Sequence, residues 1–265
     1  MAKFARLLPF GRLQTPIRAF VHPVTGRTVT VVATNHFGTT RYYRELLTAI
    51  TDRQQRGATV FSEGADMVPG DHLDATPDEQ SALASMRTAN NQMAEAFASF
   101  GWVPDYDVIG FPAEWRYVDL SHEAVIRHGG AATFQYLADT ATGPAVDPRL
   151  VRGRFLFAAA VGLRVVGLLP AGMQAQLRND TDTVILDQRN KLVLDEIDTT
   201  GGDVVTRWGA RHLPGLAVGL TERGFQHTGR DSWHTVGTLP PIPTALWRLG
   251  AAHRAVTRDA KGAVR

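Results

Sequence analysis

The sequence predicts an α/β fold, with a central mixed, largely parallel sheet flanked by helices and two related βα halves. Three observations predict it. Residues 28–63 (TVTVVATNHFGTTRYYRELLTAITDRQQRGATVFSE) read as strand, turn, amphipathic helix and strand. Residues 203–225 (DVVTRWGARHLPGLAVGLTERGF) repeat the strand and helix. In both stretches a histidine, His36 or His212, stands at the strand-to-helix turn, and the helix after it carries apolar residues at i, i+3, i+4 and i+7. Strand, helix and strand within about 35 residues make a βαβ unit, whose crossover is expected to be right-handed.

The elements follow in order. The first ~20 residues are a basic lead-in with room for one short strand. VHPVTGRTVTVVAT reads as a hairpin feeding a core strand, with Val24-Thr25-Gly26-Arg27 as the turn and β-branched residues after it. Tyr43, Leu46, Leu47 and Ile50 form one face of the next helix, Gly57 stops it, and residues 58–61 have the apolar character of a buried strand. Residues 71–77 are a polar loop. Thr76-Pro77-Asp78-Glu79 is then a capping-box helix start. Leu83, Met86, Asn90, Met93, Phe97 and Phe100 fall on one stripe of that helix, with Asn90 as an inward polar exception. DYDVIG (105–110) and WRYVDL (115–120) are candidate strands, and Asp119 ends the second just before Ser121, an N-cap.

Residues 140–148 have linker composition. Residues 155–170, the most apolar segment, are short for a membrane span and carry Arg164 in their middle, so a buried helix or a helix plus strand is expected. Leu186, Asn190, Val193 and Ile197 share a helical face, which sets Arg189 and Asn190 on or beside an apolar stripe. Gly201-Gly202 ends that helix, and residues 203–208 form a strand. Leu213, Leu216, Ala217 and Leu220 repeat the earlier pattern in a helix opened by Pro214 and closed by Gly224. GFQHTG and SWHTVGTL read as a closing hairpin or edge pair. One domain, residues 1–265, is expected, with its core at 24–240. The basic tail, 241–265, reads as a solvated terminal helix, with a membrane-surface helix or a subunit contact as the sharper alternative. Membrane association is not favoured, and an oligomer is compatible with the sequence.

Composition narrows the chemistry. Lys+Arg number 28 against 26 Asp+Glu, too small an excess to argue for nucleic acid. With no cysteine, disulfides, thiolate metal sites and a Cys nucleophile are excluded. No P-loop, dinucleotide-binding glycine motif, nucleophile elbow or H-E-x-x-H occurs. The N-terminus lacks the apolar run of a signal peptide, so the expected compartment is the cytoplasm.

In open α/β sheets ligands bind beyond the carboxyl ends of the strands, where this reading places His36, Glu63 and His212. A histidine before a helix N-terminus tends to stay neutral, the form that ligates metal. Two imidazoles and one carboxylate could seat a divalent ion with open positions. A capping or core role for each histidine is the alternative, since no local spacing marks a metal site.

VVATNH, VFSEG, QRN and WGARHLPGL followed by RGF resemble the TraB/PrgY/GumN family, which includes the TIKI proteases and is distantly related to erythromycin esterase and the haem-binding ChaN proteins. The family carries paired G-x-x-H motifs. Here the second is Gly209-Ala210-Arg211-His212, and the first is Ala33-Thr34-Asn35-His36, with Ala in place of Gly. Alanine permits a close backbone approach but not a positive φ. Glu63 matches the family glutamate and Arg189-Asn190 its Arg-Asn pair. The resemblance implies an α/β fold whose duplicated halves form one cleft, and metal-dependent cleavage of a peptide or ester. His36, Glu63 and His212 are then the expected ligands of a divalent ion (Mn, Co or Zn), with Glu63 as ligand or general base. Arg189, Asn190 and Arg116 are expected to orient a peptide or small-molecule substrate or to stabilise an oxyanion, or the arginines to pair with Asp119 or Glu63. A binding protein that sequesters a peptide, haem or small molecule in the same cleft is the competing expectation.

Overall fold

A computed structural model describes residues 2–68, 75–142, 147–177 and 181–262. After β1 (Arg6–Leu8), the chain forms β2 (Arg12–Val21), β3 (Thr28–Thr34) and β4 (Phe37–Gly38). Then come α1 (Thr40–Gln55), β5 (Thr59–Ser62), α2 (Pro77–Ala98), β6 (Val103–Pro104) and β7 (Arg116–Tyr117). Four helices follow: α3 (His122–Gly129), α4 (Ala131–Thr142), α5 (Pro148–Leu168) and α6 (Ala171–Ala175). A π-helical turn over Thr183–Gln188 leads into α7 (Arg189–Thr199). Last are β8 (Val204–Gly209), α8 (Leu213–Glu222), β9 (Gln226–Thr238) and α9 (Ile242–Gly262).

The fold is α/β, with a mixed sheet flanked by helices. Its parallel part runs β3-β8-β5-β7. The antiparallel part centres on β2, which pairs with β1 and then β3 along one edge and with β9 along the other. β8, from the second βα unit, lies between the two strands of the first. Val29 to Thr34 pair with Val204 to Gly209, so the carboxyl ends of β3 and β8 stand level. β8 is buried along its whole length, as a central parallel strand should be.

Local signals explain the elements around the site. His22 and Arg27 close the β2–β3 turn, where Gly26 takes φ 71°. Thr39 caps α1 by accepting the Tyr42 N–H, and Tyr42, Tyr43, Leu46 and Ile50 bury its inner face. Gly57, at φ 95°, releases the chain into β5. The Thr76–Glu79 capping box opens α2, and Ser121 caps α3. Leu213, Leu216 and Leu220 join the core beneath the sheet strands Val29–Ala33 and Val204–Val205.

Several expectations need correction. The N-terminal lead-in holds two strands, and β2 runs for ten residues. Residues 105–107 form a 3-10 turn, since Asp105 turns inward to an arginine, and only Arg116–Tyr117 of the 115–120 segment pair as a strand. Asn90 is exposed, because α2 presents Ala82, Leu83, Ala96 and Phe97 to the interior instead. Residues 226–238 are one long strand with bulges against β2, not a hairpin. Residues 155–168 lie in α5, a helix only partly buried, with Val165 and Leu168 exposed, and no helix among the described residues is long and apolar enough to cross a membrane. Residues 71–74 of the expected loop and 143–146 of the expected linker lie outside the described residues, while residues 140–142 end α4 and Pro148 opens α5.

A candidate active-site cavity at the strand ends

His36, Glu63 and His212 meet at Gly209, the last residue of β8. A Cβ placed on Gly209 would lie 3.1 Å from His36 Nε2, 3.2 Å from Glu63 Oε2 and 3.5 Å from His212 Cδ2. The three side chains therefore surround one point and share one cleft. Gly209 itself has an ordinary φ of −49°, so glycine is needed there for room and not for backbone freedom. The counterpart position tolerates Ala33, which sits buried in regular strand opposite Trp208.

Glu63 is held on both oxygens. Oε1 accepts from Arg189 Nη2 at 2.7 Å, and Oε2 accepts the Gly209 N–H at 2.6 Å. Burial works against its charge, but Arg189, the two histidines and the Gly209 N–H together hold the carboxyl well below the usual carboxylate range. Arg189 reaches Glu63 from a buried position at the start of α7. Its Nε and Nη2 donate to Asp119 Oδ1 and Oδ2 at 2.6 and 2.7 Å, a two-point clasp on a fully buried carboxylate. Asp119 in turn accepts the N–H groups of Gly64 and Leu120, which fixes the loop after Glu63.

The histidines are unequal. His212 is buried, and its Nδ1 meets Asn190 Oδ1 at 2.8 Å. The amide oxygen only accepts, so Nδ1 carries the proton and Nε2, 4.0 Å from Glu63 Oε1, presents its lone pair. Burial, reinforced by Arg189, His36 and Arg211 against the pull of Glu63, lowers its pKa to about 3. His36 has a side chain 58% exposed, with Nδ1 3.7 Å from Asp105 Oδ2. Desolvation opposes its charge, but Glu63 and Asp105 outweigh it and raise its pKa to about 9. Asp105 is pinned by Arg207, whose other nitrogen donates to Ser62 Oγ at 2.9 Å.

These groups floor a cavity of about 620 Å³. Phe4, Leu13, Leu163, Val166, Ile185 and Leu186 line the rest of it, together with Thr15, Thr34 and Arg211. A polar floor under an apolar enclosure of this size is the usual form of a small-molecule site. Arg116 stands apart from it. Its guanidinium pairs with Glu196 and lies over Phe61, away from the cavity lining. Asn190 lies behind His212 and not in the cavity wall, so its part is to orient the imidazole. Sequence reasoning missed Asp105 and Arg207, which lay in a segment read as strand and within a strand. It also missed the apolar wall, drawn from parts of the chain remote in sequence.

The donor chemistry fits a divalent ion. His212 brings Nε2 within 4.0 Å of the Glu63 carboxylate, His36 turns its Nε2 to the same point at Gly209, and the Asn190 contact is the kind of outer support that ligating histidines have. Among the described residues no three His, Asp or Glu groups stand at ligand spacing, so an ion would be held there only if the side chains drew closer together. No family model matches this chain, and no curated protein matches it at a significant level, so the TraB/PrgY/GumN resemblance rests on the residues quoted for it.

Proposed function

We propose that this cavity is the active site of a metal-dependent hydrolase acting on a peptide or an ester. The observation that supports the reading best is the convergence of His36, Glu63 and His212 on Gly209 at the ends of neighbouring parallel strands. His36 and His212 through Nε2, and Glu63 through its carboxylate, would hold the ion; Mn, Co and Zn all suit such nitrogen and oxygen donors. A divalent ion there supplies Lewis-acid polarisation of a carbonyl and a more acidic bound water.

The other roles belong to the chain. Arg189 and Asp119 fix the Glu63 carboxylate, and Asn190 fixes the His212 tautomer. Because Glu63 is held so far below the ordinary carboxylate range, it suits a ligand better than a proton acceptor.

One observation favours a second reading, a cleft that binds without turnover. Glu63 is already satisfied by Arg189 and Gly209, so it needs no ion. Metal analysis after chelator-free purification and reconstitution separates the two, with His36→Ala and His212→Ala as controls. The hydrolase reading expects one divalent ion per chain, lost in both variants, and cleavage of members of a peptide and ester panel. No stoichiometric ion in the wild type sinks it, and a bound ion without cleavage supports the binding reading.

A further inference from the structure

The cavity has a second part that the hydrolytic groups do not use. Leu163 and Val166 of α5, Phe4, Leu13, Ile185 and Leu186 give it an apolar wall continuous with the polar floor. Two of its parts, the Phe4 segment and α5, are joined by one buried side chain, Gln174. Its Oε1 accepts the Phe4 and Ala5 N–H groups at 3.0 and 3.3 Å, while Nε2 donates to Ala5 O at 2.7 Å and Val166 O at 2.6 Å. The N-terminal segment and α5 are thereby held together at the Phe4 and Val166 side of the wall. At the floor the cationic side chains already face carboxylates, Arg189 Glu63 and Asp119, Arg211 Asp182, and His36 Asp105 at 3.7 Å. Such a floor suits a neutral carbonyl better than an anionic head group.

We propose that the substrate is an acyl ester or amide whose acyl part is a medium-length apolar chain. The carbonyl lies at the His36–Glu63–His212 floor and the chain lies along the α5 wall. This rests on the hydrolase reading for the reaction, in which water splits the acyl C–O or C–N bond and gives a carboxylic acid and an alcohol or amine. The slot for the chain does not depend on that reading.

The test uses both properties. Straight-chain methyl ketones of increasing length, which cannot be hydrolysed, are titrated against a neutral solvatochromic dye bound to protein stripped with chelator. Affinity is expected to rise about fourfold per added methylene, the factor that full burial of a CH₂ gives, and then to level off when the slot is full. Val166→Trp is expected to bring the plateau to shorter chains. Leu163→Phe, a smaller intrusion, is expected to do the same if the tryptophan variant does not fold. Affinity that is flat with chain length, a plateau that neither variant moves, or fatty carboxylates binding tighter than ketones of equal length overturns the proposal. 4-Nitrophenyl esters and 4-nitroanilides of the same chain lengths are assayed in parallel with the metal-loaded protein. A rising ketone series with neither esters nor amides cleaved leaves the slot standing and removes the hydrolase reading. Esterase or peptidase activity indifferent to chain length removes the slot alone.

Discussion

Gly209→Ala tests the convergence of the three side chains directly. The backbone there is in an ordinary extended region, so alanine adds no dihedral strain. The whole effect is steric. The new methyl would stand 3.1 Å from His36 Nε2 and 3.2 Å from Glu63 Oε2, so those neighbours must give by a few tenths of an ångström. Glu63 cannot move freely, because Arg189 and the Gly209 N–H hold it, whereas His36 is half exposed and can swing outward. Overpacking of this kind costs about 1–3 kcal/mol, and the lower end is expected since one neighbour can yield. Urea denaturation should show that loss, and the imidazole NMR signals of both histidines should shift. If hydrolysis is present it should fall by as much as ~10²-fold, the usual effect of a small misplacement of reacting groups. A variant as stable as the parent with unmoved histidine signals would falsify the placement of all three side chains around Gly209. Ala33→Gly is the matched control, expected to lose about 0.5–1 kcal/mol through strand entropy with the histidine signals unchanged.

Asp119→Asn removes the charge from a fully buried carboxylate clasped by Arg189, and a loss of about 3–5 kcal/mol in urea denaturation is expected; under 1 kcal/mol would mean that Arg189 is sufficiently paired by Glu63 alone. In metal-free protein, NMR titration should show the His36 ring with a midpoint near 9, and the His212 ring neutral until strongly acid conditions. The two act oppositely on stability. The contribution of His36 is fully present below its unfolded pKa of about 6.5 and is lost as pH rises through about 9, while that of His212 is present above about 6.5 and is lost as pH falls toward about 3. A His36 midpoint at or below 6.5 would show that Glu63 and Asp105 do not face it. Thr76→Ala should destabilise by about 1 kcal/mol through loss of the α2 capping box, read as a lower urea midpoint with an unchanged slope.

What could be read from residues alone follows a physical pattern. The strands β3, β5 and β8 and the helices α1 and α8 carry their own periodicity, caps and glycine stops, and these signals are local. β2 is hidden in the sequence because residues 13–17 are buried in succession, so its apolar residues do not alternate, and Pro16 in its middle argues against a strand. The site divides in the same way. The ends of the parallel strands point to His36, Glu63 and His212, and the residues leave open the pairing of Arg189 with Asp119 and Glu63 that the structure contains. Arg116 and Asn90 were misplaced because a pattern on one element does not say which neighbour that element meets. The inequality of the two histidines could not be read either, since it arises from Asn190 behind one and Asp105 beside the other.

The position of β8 has a consequence for how the molecule is made. It is the strand between β3 and β5, yet it is separated from both by more than half of the chain, and the Gly209–Glu63 hydrogen bond spans 146 residues. Until it inserts, β3 and β5 each present an unpaired edge, the surface on which strands from different chains join. Closing so long a loop comes before any contact can reward it, so the sheet is expected to complete late and slowly. The strand that closes those edges also brings Gly209, and His212 three residues later, to Glu63. An intermediate with two sticky edges therefore has no assembled site, and the site appears in the same step that makes the chain safe from its neighbours.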